Sequence, residues 1–255
     1  MHIAVQGPGE APALGVKNDG TFIARDVNIL MDGGAYADDS PGVLGYSLMC
    51  ARGPYNIPNT RAEGRVVYTN RLRFAAFRGF GNPQINFATE SQIDEIADKL
   101  EMDPVEIRLK NTMKSGDRWF GGQVVESNGL DECINKVKET SNLGNRKADD
   151  PTSSGSKSRG FGIAIGGHIS GLLGTGAIVR LLEDGTVSLN TGATDIGQGS
   201  DTVLSQICAE SLQVPIENVA LSSPDTDGSP FNLSLIHISE PTRRTPISYA
   251  VFCLK

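Results

Sequence analysis

The chain predicts an α+β fold built from short, mixed β-hairpins and helices. Its 255 residues include 30 glycines and 13 prolines, which call for frequent turns and short strands rather than a helical bundle. Two apolar runs are broken by Asp-Gly turns, "KNDGT" and "LEDGT", as hairpins require. Between them the apolar period lengthens to that of a helix.

The elements follow in order. From Ala13, "ALGVKNDGTFIARDVNILMDGG" alternates about the Asp19-Gly20 turn and reads as a hairpin. "RAEGRVVYTN" is rich in residues that favour a pleated surface and reads as a further strand. Over residues 85–100, Ile93, Ile96, Ala97 and Leu100 share one helical face, and Glu95 and Lys99 form an i,i+4 pair on another. "MDPVEIRLKN" begins a second helix, with Asp103 as N-cap, Pro104 at the first helical position and Glu106 placed for a capping box.

Residues 130–141 form a third helix, after which "SNLGNRKADDPTSSGSKSRG" has no apolar period and marks a polar linker, residues 143–159. Strands resume at "GFGIAIGGHISG" and at the hairpin "GTGAIVRLLEDGTVSLNTGAT". "QGSDTVLSQICAESLQV" is a helix preceded by a glycine loop, and "PIENVALSS" a closing strand. No internal repeat of 20–50 residues is visible.

Composition narrows the function. The net charge is −7 and no basic run could track a phosphate backbone, which disfavours nucleic acid as a partner. No apolar stretch reaches the ~18 residues needed to span a bilayer, and no signal peptide is visible. Cys50, Cys133, Cys208 and Cys253 are far apart and form no CxxC pair, so the expectation is reduced cytoplasmic thiols and no metal site within the chain.

Two glycine loops carry the chemistry. "AAFRGFGNPQ" and "GATDIGQGSDT" each place glycines, which let backbone N–H groups approach a ligand, directly before a helix N-terminus, which favours anions. Together they suggest a phosphate-bearing ligand held by main chain. Neither is a P-loop or a GxGxxG fingerprint, so ATP and ordinary NAD binding have no support. From spacing alone, a pair of turn-rich connectors explains them equally well.

Further blocks bear on that choice: "DGGAYAD", "RGPYNIPNTRAEGRVVYTN", "AFRGFGNPQ", "ESQIDEIADKLEMDPVEIRLKN", "GFGIAI" and "TDIGQGSDTVLSQICAESLQVPIENVALSSPDTDGSPF". Their order resembles the large, molybdenum-cofactor-binding subunit of the xanthine dehydrogenase/aldehyde oxidase family over roughly residues 10–232. The resemblance implies part of a first cofactor-binding subdomain in 1–142 and the start of a second in 160–232. It implies that Ala76, Phe77, Arg78 and Gly79 line the cofactor, and that Ile196, Gly197, Gln198 and Gly199 hold it from the second loop. Phe80 is expected to wall a flat substrate by ring stacking. Purine-oxidising members carry an arginine thirty-two residues before the one in "FRGFG". That count reaches Tyr46 here, so Tyr46 is expected at the substrate in place of a purine-binding arginine. Asp195 is read as a loop cap.

The implied activity is oxidative hydroxylation of an aldehyde or N-heteroaromatic compound with water as the oxygen source. The implied cofactor is molybdenum-molybdopterin or its cytosine dinucleotide form. Electrons would pass to iron–sulfur clusters and FAD on partner subunits, in a dimer of multi-subunit protomers. Two alternatives stay open: a reductive dehydroxylase of an aromatic thioester within the same family, and a non-catalytic α+β binding module. The family's general-base glutamate belongs to a C-terminal part not matched here; Glu183, Glu210 and Glu217 sit in strand-turn or helix settings that suit ordinary solvated carboxylates. The chain is thus expected to be an internal piece of that subunit, inactive alone. Residues 233–255, "LSLIHISEPTRRTPISYAVFCLK", break the family pattern, carry +2 against −9 for the rest, and read as a translation artefact. Among lone candidates, Trp119 is expected to pack on a loop and His168 to be a structural or surface histidine.

Overall fold

Strand β3 (Phe22–Gly34) organises the first sheet. Val27, Ile29 and Met31 are buried on one face, while Asn28 and Leu30 point to the exposed one, as a period of two demands. The Asp19-Gly20 turn joins it to β2 (Ala13–Val16). Gly20 takes φ +83° there, and the Asp19 carboxylate accepts from Thr21 N at 3.0 Å. Strand β1 (Ile3–Gln6) pairs antiparallel along the far half of β3. The structure is a computed structural model and describes residues 3–6, 13–141, 161–168, 176–195 and 197–232.

The third partner of β3 is β4 (Asn59–Tyr68), and this pair is parallel. Parallel neighbours need a crossover rather than a tight turn. Helix α1 (Ser40–Met49) supplies it and packs Leu44 and Leu48 against Val27, Ile29 and Ala62. The backbone of β4 comes so close to α1 that a Cβ on Gly64 would lie 2.5 Å from a methyl of Leu44. No helix is expected from the sequence at 40–49. Two glycines, a proline and serines at both ends give the stretch little helical signal.

Helix α2 (Asn82–Lys99) buries the face expected of it: Ile93 and Ala97 are fully buried, with Ile96 and Leu100 packed beside them. Helix α3 (Pro104–Asn111) starts as read, with the Asp103 carboxylate accepting from Val105 N at 2.7 Å and Glu106 N at 3.1 Å. Glu106 accepts from Lys138 Nζ at 2.7 Å, which ties α3 to α4 (Leu130–Ser141).

Arg108 of α3 is fully buried. It donates to Glu90 Oε2 at 2.8 Å and Asp94 Oδ1 at 2.8 Å, and the Tyr55 hydroxyl donates to Glu90 Oε1 at 2.7 Å. Burial, and then the neighbouring Glu90 charge, hold the Tyr55 phenol far above its ordinary range. Glu90 also accepts from Ile165 N at 3.0 Å. Residues 161–168, read above as a strand, form no regular strand; their backbone is held by this side chain instead.

Two compact units divide after His168, each described by itself. In the second, β5 (Ala177–Leu181) and β6 (Val187–Thr191) form the expected Asp184-Gly185 hairpin. Strand β7 (Val219–Ser222) lies parallel to β6, with α5 (Ser200–Leu212) as the crossover. Leu204, Cys208 and Leu212 of α5 pack on Val187 and Leu189. Helices and small mixed sheets make this an α+β protein. Among the described residues no helix is long and apolar enough to cross a membrane. The linker 143–159, the tail 233–255 and Ile196 lie outside the described residues.

Candidate functional site

The loop leading from β4 to α2 is stitched to the end of β3 by Ala35 N donating to Arg71 O at 3.1 Å and Phe74 N to Gly33 O at 3.2 Å. It then turns through three successive left-handed residues, Gly79, Phe80 and Gly81, with φ of +92°, +50° and +89°. Glycine serves at 79 and 81 for that reason, and at 81 for a second. A Cβ there would lie 2.1 Å from Ser47 Oγ and 3.1 Å from Val43 O, so the backbone presses directly on α1. Phe80 has no such licence. A side-chain-bearing residue in this region costs about 1–3 kcal/mol, and such strain is held by its surroundings.

What holds it is α1. The Phe80 ring lies 3.5 Å from the position a Gly42 Cβ would take, and meets Tyr46 edge-on, with ring centroids 6.0 Å apart and planes at 80°. Gly42 and Tyr46 are one helical turn apart on one face, and the Phe80 ring lies along that face. Ala76, Phe77 and Arg78 stand exposed on the same loop, Phe77 at 75%. Phe80 is half-buried and Tyr46 is 5% exposed. The structure therefore brings Phe80 and Tyr46 together, with Ala76–Gly79 open beside them.

A third ring joins this pair. Glu90 fixes Ile165, and Gly167 seats against Trp119, where a Cβ would come within 2.5 Å of the indole; the indole N–H in turn donates to Met49 O at 2.8 Å. Asn82 Nδ2 donates to Gly167 O at 2.7 Å and lies 3.2 Å from His168 Nδ1. The His168 ring ends 5.0 Å from Tyr46, tilted by 42°. A lone histidine gave the sequence no reason to expect this, since its contacts span 86 positions. Behind Tyr46, Cys50 is buried; burial pushes its thiol up to about 12, and a hydrogen bond with Tyr46 opposes the rise.

In the second loop Asp195 caps the turn, as read from the sequence. Asp195 Oδ1 accepts from Gly197 N at 2.7 Å and Gly199 N at 3.4 Å, and Oδ2 from Asp201 N at 3.3 Å. These bonds, that from Gly197 foremost, hold its carboxyl below the usual carboxylate range. These backbone N–H groups serve the Asp195 carboxylate. Gly197 (φ +104°) and Gly199 (φ +80°) nevertheless face open space, since a Cβ on either would meet nothing within 4 Å. Gln198 Nε2 donates to Thr194 O at 2.9 Å and lies 3.3 Å from Ser200 Oγ, which fixes the side chain within the loop.

No general base emerges from the described residues. Glu183, Glu210 and Glu217 are exposed, and the buried Glu90 is fully engaged by Arg108, Tyr55 and Ile165. Among the described residues no group of His, Cys, Asp and Glu could hold a metal ion.

Comparison with known proteins gives these features a common source. Residues 12–112 match the model of one molybdopterin cofactor-binding domain, and residues 136–235 that of a second. The chain is 37% identical over 231 residues to the xanthine dehydrogenase molybdenum-binding subunit of Escherichia coli O157:H7, covering 86% of this chain and 30% of that protein. It is 36% identical over 220 residues to the aldehyde oxidoreductase of Megalodesulfovibrio gigas, covering 84% and 24%. Among solved structures, aldehyde oxidoreductase from Desulfovibrio gigas superposes with a TM-score of 0.73 at 35% identity, over 85% of this chain and 24% of that one. The chain thus spans about a quarter to a third of the length of these relatives.

Proposed function

Because the chain belongs to the xanthine dehydrogenase/aldehyde oxidase family of molybdopterin cofactor-binding subunits, we propose that it forms part of a molybdenum hydroxylase. The reaction of this reading is oxidative hydroxylation of an aldehyde or N-heteroaromatic substrate with oxygen drawn from water. The cofactor, when bound, supplies the two-electron oxidation and the activation of water. Iron–sulfur and FAD partners would carry the electrons onward, in a cytoplasmic dimer of multi-subunit protomers, and the cytosine dinucleotide form of the cofactor belongs to the same reading.

The chain's own residues bind and orient. Gly197 and Gly199 leave room for a pterin edge, with Gln198 presented between them; the open face of these glycines supports the fit. In the first unit, Ala76–Gly79 form an open loop, with Arg78 as an exposed cation on it. Phe80 offers a ring to a flat substrate, and Tyr46 backs it. The general base comes from outside the described residues. The observation that carries the reading is Phe80: a strained aromatic residue, seated on Gly42 and Tyr46 beside an exposed arginine.

The test is turnover of aryl aldehydes and N-heteroaromatics by the holoenzyme without dioxygen, using a dye as electron acceptor. Anaerobic product formation that drops at least about tenfold in Arg78→Ala is expected. A strict need for dioxygen, or turnover only in the reductive direction, would overturn the reading.

A further inference from the structure

We propose that Tyr36, Tyr68, Arg71, Leu72 and Arg73 form the docking surface for the iron–sulfur partner, which meets it with an acidic face around an apolar centre. The inference rests on the oxidising function proposed above and gives its electron-carrying partner a place to bind.

The chain carries a net charge of −7, yet residues 64–89 hold four arginines and no acid. Arg71 Nη1 lies 3.5 Å from Asp32 Oδ2, and Arg73 Nη1 2.8 Å from Asp38 Oδ2. Each acid orients its guanidinium from one side, and both arginine side chains remain more than half exposed. A guanidinium has five N–H donors, so each keeps donors for a further carboxylate.

Apolar side chains are exposed in the same place. Tyr36, Tyr68 and Leu72 are 71%, 72% and 87% exposed. The backbone gathers them at one end of the sheet. Tyr68 pairs with Gly34, Thr69 N donates to Gly34 O at 2.9 Å, Ala35 N to Arg71 O at 3.1 Å and Phe74 N to Gly33 O at 3.2 Å. Leu72 O lies so near Gly34 that a Cβ there would meet it at 2.1 Å. Single exposed apolar residues need no explanation, but three of them around two arginines make a patch of the composition that interfaces favour. Tyrosine and arginine are also enriched among the residues that carry most of the binding energy. The main-chain hydrogen bonds fix the backbone of the patch, so docking costs little ordering.

Two features choose the partner. Arginines around an apolar centre are complementary to an acidic face. The patch also runs without a break into Ala76–Gly79, the loop assigned above to the cofactor. A protein seated on it stands beside that loop, where an acceptor of the cofactor's electrons has to come.

The experiment compares the molybdenum subunit as holoprotein, alone and in complex with its iron–sulfur and FAD partners. Hydroxyl-radical labelling read by peptide mass spectrometry should modify Tyr68 and Leu72 strongly in the subunit alone and severalfold less in the complex. Leu72→Ser and Arg73→Glu should each weaken the association about tenfold with the molybdenum content unchanged. Added salt should weaken the wild-type complex more than the Arg73→Glu complex. Labelling as strong in the complex as in the subunit alone, or unchanged affinity in both variants, would overturn this inference. So would labelling already low in the subunit alone, because another part of the same subunit would then cover the patch. A folded wild-type subunit without molybdenum would overturn the oxidising function, and this inference with it.

Discussion

Phe80 meets Tyr46 edge to face, 6.0 Å between centroids, although the two residues come from different elements and Phe80 must adopt a left-handed backbone to do so. An edge-to-face pair contributes about 0.5–1.5 kcal/mol beyond the area it buries. A double-mutant cycle of Tyr46→Leu and Phe80→Leu, read by denaturant unfolding, should return a coupling of about that size. Strictly additive effects would mean that the pair does not hold the loop.

Arg108 and Glu90 form a fully buried ion pair that also anchors Ile165. Removing one member of such a pair leaves an uncompensated charge and costs about 3–5 kcal/mol. Arg108→Met should therefore destabilise the protein by that amount in urea unfolding. The double variant Glu90→Leu/Arg108→Met should cost less than the sum of the two single variants, because each single one strands the other charge of the pair. A loss below about 1 kcal/mol for the single variant would show the network to be solvated.

Asp195 caps the loop before α5 as a carboxylate whose pKa is lowered on folding by the Gly197, Asp201 and Gly199 N–H groups. A lowered folded pKa gives stability that is present above the unfolded value and lost as pH falls through the folded one. Asp195→Ala should lower the thermal midpoint at pH 7, and the gap to wild type should close as pH drops below about 4. A gap that stays constant into acid would show that the charge contributes nothing.

Cys50 and Cys133 differ in access. Cys50 is 2% exposed, its thiol raised to about 12 by burial, while Cys133 is exposed. Alkylation at pH 8 followed by peptide mass mapping should label Cys133 in the native protein and Cys50 only after unfolding. Equal labelling of the two would contradict the packing behind Tyr46.

Much of the fold was legible where local chemistry decides it. The Asp19-Gly20 and Asp184-Gly185 turns, the Asp103 cap and the Ile93/Ala97 face all carry their own signals, and each element formed where it was read. Helix α1 was not legible, because glycines at 42 and 45 weaken its helical signal. Nor was the parallel pairing of β3 with β4, which depends on that unseen crossover. Residues 161–168 read as a strand because they are apolar and glycine-rich; their backbone is satisfied in part by the Glu90 side chain, 75 positions away from Ile165. At the site, a role for the loop residues 76–80 is an expectation from the family pattern. The contact of His168 with Asn82 was not legible, because their meeting is a tertiary event with no spacing to announce it. Asp195, read as a loop cap, does cap the second loop, accepting from the Gly197 and Gly199 N–H groups.

The account stands on one claim: residues of this chain help to hold a molybdenum cofactor. The measurement that bears on it most directly is the molybdenum-to-protein ratio of the holoprotein purified from a host that makes molybdopterin. Equimolar molybdenum, reduced in Gln198→Ala while cooperative unfolding persists, is the predicted result. A folded wild-type protein without molybdenum would contradict the account.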